Sequence, residues 1–549
     1  MSKNFEEMSK DELIDLVNNL LKRKKFGLVW EDKPEKVAQQ CQDNFPVLEE
    51  VVDKAILKSE SNRTNFLIEG DNFHSLSVLN YTHAGKIDLI AIDPPYNTGA
   101  NDFVYNDQYV DREDTFRHSK WLSFMDRRLR LAQSLLSESG VIVMNIDENE
   151  FAQLKMLSDQ IFGEANYIMD VIWNSRKSVS SDAIISLNHN HTLIYAKNIS
   201  EVRRLSKQGK RFKLAEQEHK FSNPDNDPRG PWSAVPLDAP QVRANLSYEI
   251  TNPNTGQKYP PPPGRHWGTT EEKYNILFNE GRIIFGKTGK SKPQVKRYLS
   301  EAQDKGLTPK SIWDDVDTTT HGTKELEAIL GYKAFNNPKP LSLLERVIEL
   351  TTDKDSIVLD FFAGSGTTGH AVLRKNAEDG GRRSFILCTN NENDIAESIT
   401  YQRLKTAIGG YKDNAPLDAN VRYFKTAFVA KQKNDDQTRQ ELVDKSIEMI
   451  CLREDTFELV VSKPEFSIYL GKGNYSAVIF DPDAIEALKV KIEELPGESE
   501  VAIYAFSLSN DTYQSDFKDL TRKHILRAIP EGILEVYRRL FNNQTSSGE

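Results

Sequence analysis

Between residues 65 and 146 short apolar runs alternate with amphipathic stretches. Phe66-Leu67-Ile68 closes on Gly70-Asp71 and reads as a strand. Ile87 to Ile92 reads as a second strand, stopping at Asp93. Trp121, Leu122, Met125, Leu129 and Leu136 recur at the spacing of one helical face, Gly140 ends that helix, and Val141 to Ile146 supplies a third strand. Strands separated by helices predict a mostly parallel, doubly wound α/β sheet. The pattern lapses near residue 175. From there to about residue 335 the chain is polar and rich in Pro, Gly, Asn and Lys, with a proline run at Pro260 to Pro263. The alternation then resumes, with a helix over 341–350 and strands over 357–359 and 385–387. From about residue 413 helices over 441–450 and 484–495 mix with a strand over 501–506. Near the start, Ser9 and Glu12 form a capping-box pattern ahead of Leu13, Ile14, Leu16, Val17, Leu20 and Leu21. Lys22 to Lys25 close that helix, where cations complement its dipole.

These changes of texture divide the chain into an N-terminal helical segment (1–60), one half of an α/β core (61–175), an insert (176–330), the other half of the core (331–412) and a C-terminal mixed α/β module (413–549). A chain of 549 residues is expected to hold roughly two to four domains. With 38% hydrophobic and 28% charged residues the balance is that of a folded protein and not a disordered one. No apolar run approaches the roughly 20 residues of a membrane helix. No signal-peptide pattern stands at the N-terminus. Cys41, Cys388 and Cys451 are too scattered for a disulfide framework or a cysteine zinc site, which fits a cytoplasmic setting. A net charge of −11 argues against a uniformly basic nucleic-acid binder. It leaves room for a local basic face, since charge is felt over only about 8 Å in physiological salt.

Two stretches carry chemistry. The first is Asp93-Pro94-Pro95-Tyr96, where two prolines stop the strand between an acid and an aromatic. The second is "VLDFFAGSGTTGHAV", in which a strand ends at Asp360 and a glycine turn, Gly364-Ser365-Gly366, leads into a helix. Such glycines let backbone approach a ligand closely. No lysine follows the turn, so it is not a phosphate loop. "FGKTGKSK" fails that pattern too, because Ile284 stands where a glycine is needed. An acid and an apolar glycine loop without a phosphate-binding lysine suit a nucleoside ligand with little phosphate, such as S-adenosylmethionine. Both loops leave strand ends, where ligands of open α/β sheets bind.

A base amine is a poor nucleophile because its lone pair is delocalised into the ring. Two acceptors on its hydrogens, the Asp93 carboxylate and the Pro94 carbonyl, would localise that pair and stabilise the charge that develops. Tyr96 would stack on the base, worth about 1–3 kcal/mol. In a duplex such a base must first be extruded, at a cost of a few kcal/mol. That calls for a clamp on DNA, and the basic residues of the insert are the candidates: Arg203, Arg204, Lys210, Arg211, Lys287, Lys290, Lys292 and Arg297. His189 and His191 lack partners that would complete a metal site, and no metal is expected. Trp232 and Trp267 read as anchors of a small core.

The motif Asp93-Pro94-Pro95-Tyr96 resembles the DPPY motif of DNA amino-methyltransferases, and Phe361 to Gly366 resembles their FxGxG cofactor motif. The order catalytic motif, recognition segment, cofactor motif resembles the beta class. "DPPYNTGANDFVYND", "NPDNDPRGPW" and "FNNPKPLSLLERVIELTT" resemble the modification subunits of type III restriction–modification systems. The resemblance covers roughly residues 1–425. It implies a Rossmann-like methyltransferase sheet with an inserted target-recognition domain, and adenine N6 methylation of double-stranded DNA with S-adenosylmethionine as cofactor. It implies that Pro95 belongs to the catalytic motif with Asp93, Pro94 and Tyr96, and that Asp93 also borders the cofactor. The cofactor loop runs from Asp360 through Phe361, Phe362, Ala363, Gly364, Ser365 and Gly366 to Thr367. Lys339 matches a motif at the methionine end, Asp71 and Asn72 a segment bordering the cofactor, and Glu392 a ribose-binding acid. Asp147 matches a strand-end position of the family, but a helix N-cap is the blander account and the one preferred for it. The partners implied are DNA, a second copy of the chain, and a separate nuclease–translocase subunit met by the C-terminal module. Cytosine N4 methylation and a catalytically silent DNA-binding subunit remain the alternatives.

Overall fold

The computed structural model describes residues 9–10, 28–58, 63–181 and 183–542, so the helix expected over 9–25 lies largely outside the described residues. Two compact units emerge, one of residues 1–202 with 311–549 and one of residues 203–310.

The first unit is built on an 11-stranded sheet. Its path is formed by β1 (Asn44–Glu50), β2 (Thr64–Glu69), β3 (Ile87–Ile92), β4 (Leu136–Ile146), β5 (Tyr167–Trp173), β6 (Asn190–Ala196), β7 (Ile312–Trp313), β8 (Ile357–Asp360), β9 (Ser384–Thr389) and β10 (Asn420–Ala430), in the order β1-β10-β2-β9-β8-β3-β4-β6-β5-β7. From β10 across to β4 all neighbours are parallel, while β1 and β6 join antiparallel. The parallel strands are covered on both faces, which is why β9 is buried along its whole length. Helix α1 (Asn72–Thr82) is buried from Phe73 to Thr82. A helix apolar on only one face could not be buried in this way.

The strands over 66–68, 87–92 and 501–506 lie where the hydrophobic pattern puts them. Gly140 does not. Helix α2 (Arg117–Leu135) ends at Leu135, and Gly140 sits inside β4. A Cβ there would lie 2.7 Å from the Ile87 carbonyl oxygen. Glycine is needed for close strand approach and not as a helix cap. The helix expected over 441–450 is two helices, Asp435–Asp444 and Ile447–Glu454, broken at Lys445 and the fully buried Ser446.

Two expected boundaries move. The insert of 176–330 contracts to 203–310, because β6 and β7 complete the main sheet. The C-terminal module of 413–549 also contracts. Residues 420–430 form β10, and helix α3 (Glu531–Asn542) returns to the main core, where Ile533, Leu534, Tyr537 and Leu540 pack and the Tyr537 hydroxyl donates to the Pro46 carbonyl at 2.5 Å. What stays separate is a five-stranded sheet running from Thr456–Ser462 to His524–Ile529.

The unit of residues 203–310 has its own small core of Leu237, Ile250, Trp267, Tyr274, Ile283 and Phe285. Lys296, next to Arg297, turns inward and bonds the buried Asp227 at 2.8 Å. Trp267 is the buried anchor, whereas Trp232 is half-buried and donates to Asp225.

Gly140→Ala is expected to destabilise the protein by about 1–3 kcal/mol through overpacking against Ile87. Urea unfolding checks this, and an unchanged midpoint would show that the strands can separate to admit the methyl group.

Candidate active site

Strands β3 and β8 are hydrogen-bonded neighbours, with Val358 opposite Leu89 and Leu359 opposite Ile90. Asp93 and Asp360 therefore leave the sheet at the same edge, and the two loops bound one cavity. Its volume is about 360 Å³, and its walls include Asp71, Asn72, Asp93, Pro95, Phe361, Phe362, Gly364 and Glu392. A narrower recess of about 50 Å³ is lined by Asp93, Lys339, Asp360, Ala363, Ser365 and Thr367.

The Asp93 carboxylate is held from both sides. Lys339 Nζ lies 2.5 Å from Oδ2, and the Tyr96 hydroxyl donates to Oδ1 at 2.9 Å. The same ammonium stands 5.1 Å from the centre of the Tyr96 ring. Burial and then the Asp93 charge push the Tyr96 hydroxyl well above its usual pKa, so it stays a donor. The Pro95 carbonyl is taken by the Trp121 indole at 2.7 Å. That bond fixes the turn, and among the described residues no donor is bonded to the Pro94 carbonyl. Asn97 follows with φ 58° and is fully buried. Its amide donates to Glu150 Oε1 at 2.5 Å, and His118 Nδ1 lies 2.7 Å from the same oxygen. Desolvation pushes the Glu150 carboxyl up to about 8.

On the second loop the Asp360 carboxylate accepts from Thr368 Oγ1 at 2.6 Å and from the Phe362 N–H at 3.0 Å. Burial outweighs these bonds and raises its pKa to about 7. Gly364 and Gly366 have φ 48° and 74°, where a side chain would be strained. At Gly366 a Cβ would also lie 3.0 Å from the Thr400 methyl.

Two arginines that the motifs do not reveal support these loops. Arg403, fully buried, donates to Thr367 Oγ1 at 2.7 Å and reaches the Ser365 hydroxyl at 3.3 Å. Burial lowers its pKa to about 10, the mark of a cation with little local compensation. Arg128, also fully buried, pairs with Glu35 at 2.8 Å and Asp71 at 3.2 Å and donates to the Asn72 side chain. Asn72 in turn donates to the Phe361 carbonyl at 3.0 Å, which ties the Asp71-Asn72 segment to the glycine loop. Each arginine stands in an ordinary helical stretch. Only the unusual burial of an arginine marks it, and burial is not visible in the sequence.

The other candidates divide. Glu392 lines the cavity beside Thr389 and Asn390. Asp147 is not a helix N-cap. It accepts from the Asn149 N–H at 3.0 Å in a turn, and the following helix (Phe151–Ser158) is preceded by Glu150. In the unit of residues 203–310, Arg203, Arg204, Lys210, Lys287 and Lys290 are exposed. Lys292 is exposed with its ammonium 3.5 Å from Asp238, and Arg297 is tied to Glu216 at 2.6 Å. Arg211 is only 3% exposed, so its expected role as a surface DNA contact does not hold: burial leaves its side chain almost no surface to offer. The His191 ring stacks on Phe151 and bonds Asp170.

Residues 87–401 match the family model of the N6/N4 DNA methylases, described as DNA methylase. The chain is similar to the Mod subunit of the type III restriction–modification enzyme StyLTI of Salmonella typhimurium, 33% identical over 475 residues, covering 79% of this chain and 69% of that one. It is also similar to the EcoPI Mod subunit of Escherichia phage P1, 33% identical over 393 residues, covering 62% of this chain and 60% of that one. With the type II methyltransferase M.KpnI of Klebsiella pneumoniae it shares 32% identity over 360 residues, covering 61% of this chain and 82% of that one.

Because the folded-state pKa of Asp360 is raised, the folded protein holds a proton there that the unfolded chain releases near pH 4. Its contribution to stability is full at low pH and is lost as pH rises to about 7. Asp360→Asn is therefore expected to flatten the decline of the urea midpoint between pH 5 and pH 8. Parallel wild-type and variant curves would refute the assignment.

Proposed function

The chain belongs to the N6/N4 DNA methylase family and is an S-adenosylmethionine-dependent DNA methyltransferase, and from that premise we propose that it methylates the N6 amine of adenine at a specific short site in double-stranded DNA, as the modification subunit of a type III restriction–modification system. One observation carries this reading. The acid of the proline loop and the glycine loop line a single cavity, and the carboxylate of Asp93 is oriented by Lys339 and Tyr96.

The residues present suit the cofactor. Phe361 and Phe362 supply apolar walls, Glu392 an acid for ribose hydroxyls, and Lys339 a cation for a carboxylate, all on the cavity or its inner recess. S-adenosylmethionine supplies an electrophilic methyl group on a sulfonium. The protein's part is to present the amine. Asp93 and the Pro94 carbonyl accept its two hydrogens, and the Tyr96 ring stacks on the base. Each carboxylate oxygen has more than one acceptor direction, so Asp93 takes the amine hydrogen while Tyr96 still holds it in place. Cations of the unit of residues 203–310 hold the duplex, with Arg203, Arg204, Lys210, Lys287 and Lys290 the most accessible. Phosphate contacts of this kind position DNA but do not read it. The five-stranded C-terminal sheet is assigned to contacts with a second copy or with a restriction subunit.

Mass spectrometry of DNA methylated by the protein is expected to find N6-methyladenine, and N4-methylcytosine in its place would overturn the base assignment. Long-read sequencing of the same DNA identifies the site. Asp93→Ala is expected to abolish transfer of labelled methyl while cofactor binding stays measurable. Full retained activity would remove Asp93 from its role.

A further inference from the structure

Residues 174–189 connect β5 to β6 outside the two loops of the site. At its base Arg176 and Asn188 bond through the Arg176 N–H and the Asn188 carbonyl at 3.1 Å, and the Asn188 amide reaches the Ser178 carbonyl at 2.9 Å. Higher up, the Ser180 N–H donates to Ser186 Oγ at 3.0 Å. The root is fastened to the unit by the Thr319 N–H on the Ser175 carbonyl and by the Trp173 indole on the Asp317 carbonyl. The result is a stapled finger. At its tip Ile184 and Ile185 are 103% and 87% exposed, and Val179 is 78% exposed on its side. A single exposed isoleucine needs no explanation, but an adjacent pair at the end of a tied projection does.

The sheet register locates the finger. β4 runs parallel to β3 with Met144 opposite Ile92, and β6 runs antiparallel to β4 with His191 opposite Ile146. Asn190 therefore lies at the edge from which Asp93 and Tyr96 emerge, and the finger projects from that edge. The Arg176 charge is felt at the Tyr96 hydroxyl, where it opposes the effects of burial and of Asp93. Arg176 and Lys177, both exposed, give the finger a cationic base under an apolar tip. Cations below and an apolar wedge above fit the two surfaces of a duplex, phosphate outside and stacked bases inside.

We propose that this finger enters the target duplex and that Ile184 and Ile185 fill the space left in the stack when the target base turns out toward Tyr96. The proposal rests on the reading of double-stranded DNA as substrate. The wedge offsets the cost of opening a base pair by occupying the place of the departed base, so its effect must shrink when the target base has no partner to leave.

The test uses the full chain and two synthetic duplexes carrying its methylation site, one fully paired and one with an abasic position opposite the target base. For the double variant Ile184→Ser with Ile185→Ser, kcat/KM on the paired duplex is expected to fall by about ten- to a hundredfold. On the abasic duplex the fall should be less than about threefold, with affinity for S-adenosylhomocysteine unchanged. The conservative variant Ile185→Phe should retain activity on both. With 2-aminopurine as the target base, the fluorescence rise on wild-type binding should be reduced in the serine variant. Equal losses on the two duplexes, or no loss on either, would overturn the finger while leaving the methyltransferase reading intact. A wild-type protein that transfers no methyl group to either duplex would end both.

Discussion

The hydrogen-bonded pairing of β3 with β8 is the constraint on which the site depends. It joins strands from the two halves of the core, so the loops after Asp93 and Asp360 share one edge. The ion pair of Lys339 with Asp93 closes that arrangement across 246 residues of sequence. A parallel sheet makes this economical. Every parallel strand ends at the same edge, so acids at strand ends converge without further design.

Convergence of acids carries an electrostatic cost, and the structure meets it with buried cations. Arg128 sits between Glu35 and Asp71, and Lys339 sits on Asp93. Asp360 makes no ion pair among the described residues; burial raises its pKa to about 7 against hydroxyl and amide donors and the Lys339 charge. Arg403 is the converse case. It is a buried cation that braces Ser365 and Thr367 from behind, with its pKa drawn down by desolvation. Removing one partner from such a buried set would leave an uncompensated charge, so each pair resists separation.

Much of the core was legible because its signals are local. Apolar runs of strand length, an acid at each strand end, a proline pair and a glycine turn all act within a few residues. They located β3, β8 and the two loops that follow them. Signals that depend on partners were misread or missed. Gly140 looked like a helix cap because nothing in its neighbourhood reveals the Ile87 carbonyl against it. Arg211 looked like a surface cation because a basic cluster has the same composition whether it faces water or the interior. The edges of the insert and of the C-terminal module were misplaced because β7 is only two residues long and nothing within β6 or β10 shows which distant strands they pair with.

By itself, then, the amino-acid order determined which chemistry the chain can perform, since residue type and spacing set the donors, acceptors and aromatic surface of each loop. Only the tertiary structure decided which of those groups meet. Lys339 bonded to Asp93, Arg403 behind the glycine loop and two isoleucines at the tip of a finger all follow from strand order and burial. Those are properties of contacts between remote segments, and no local pattern encodes them.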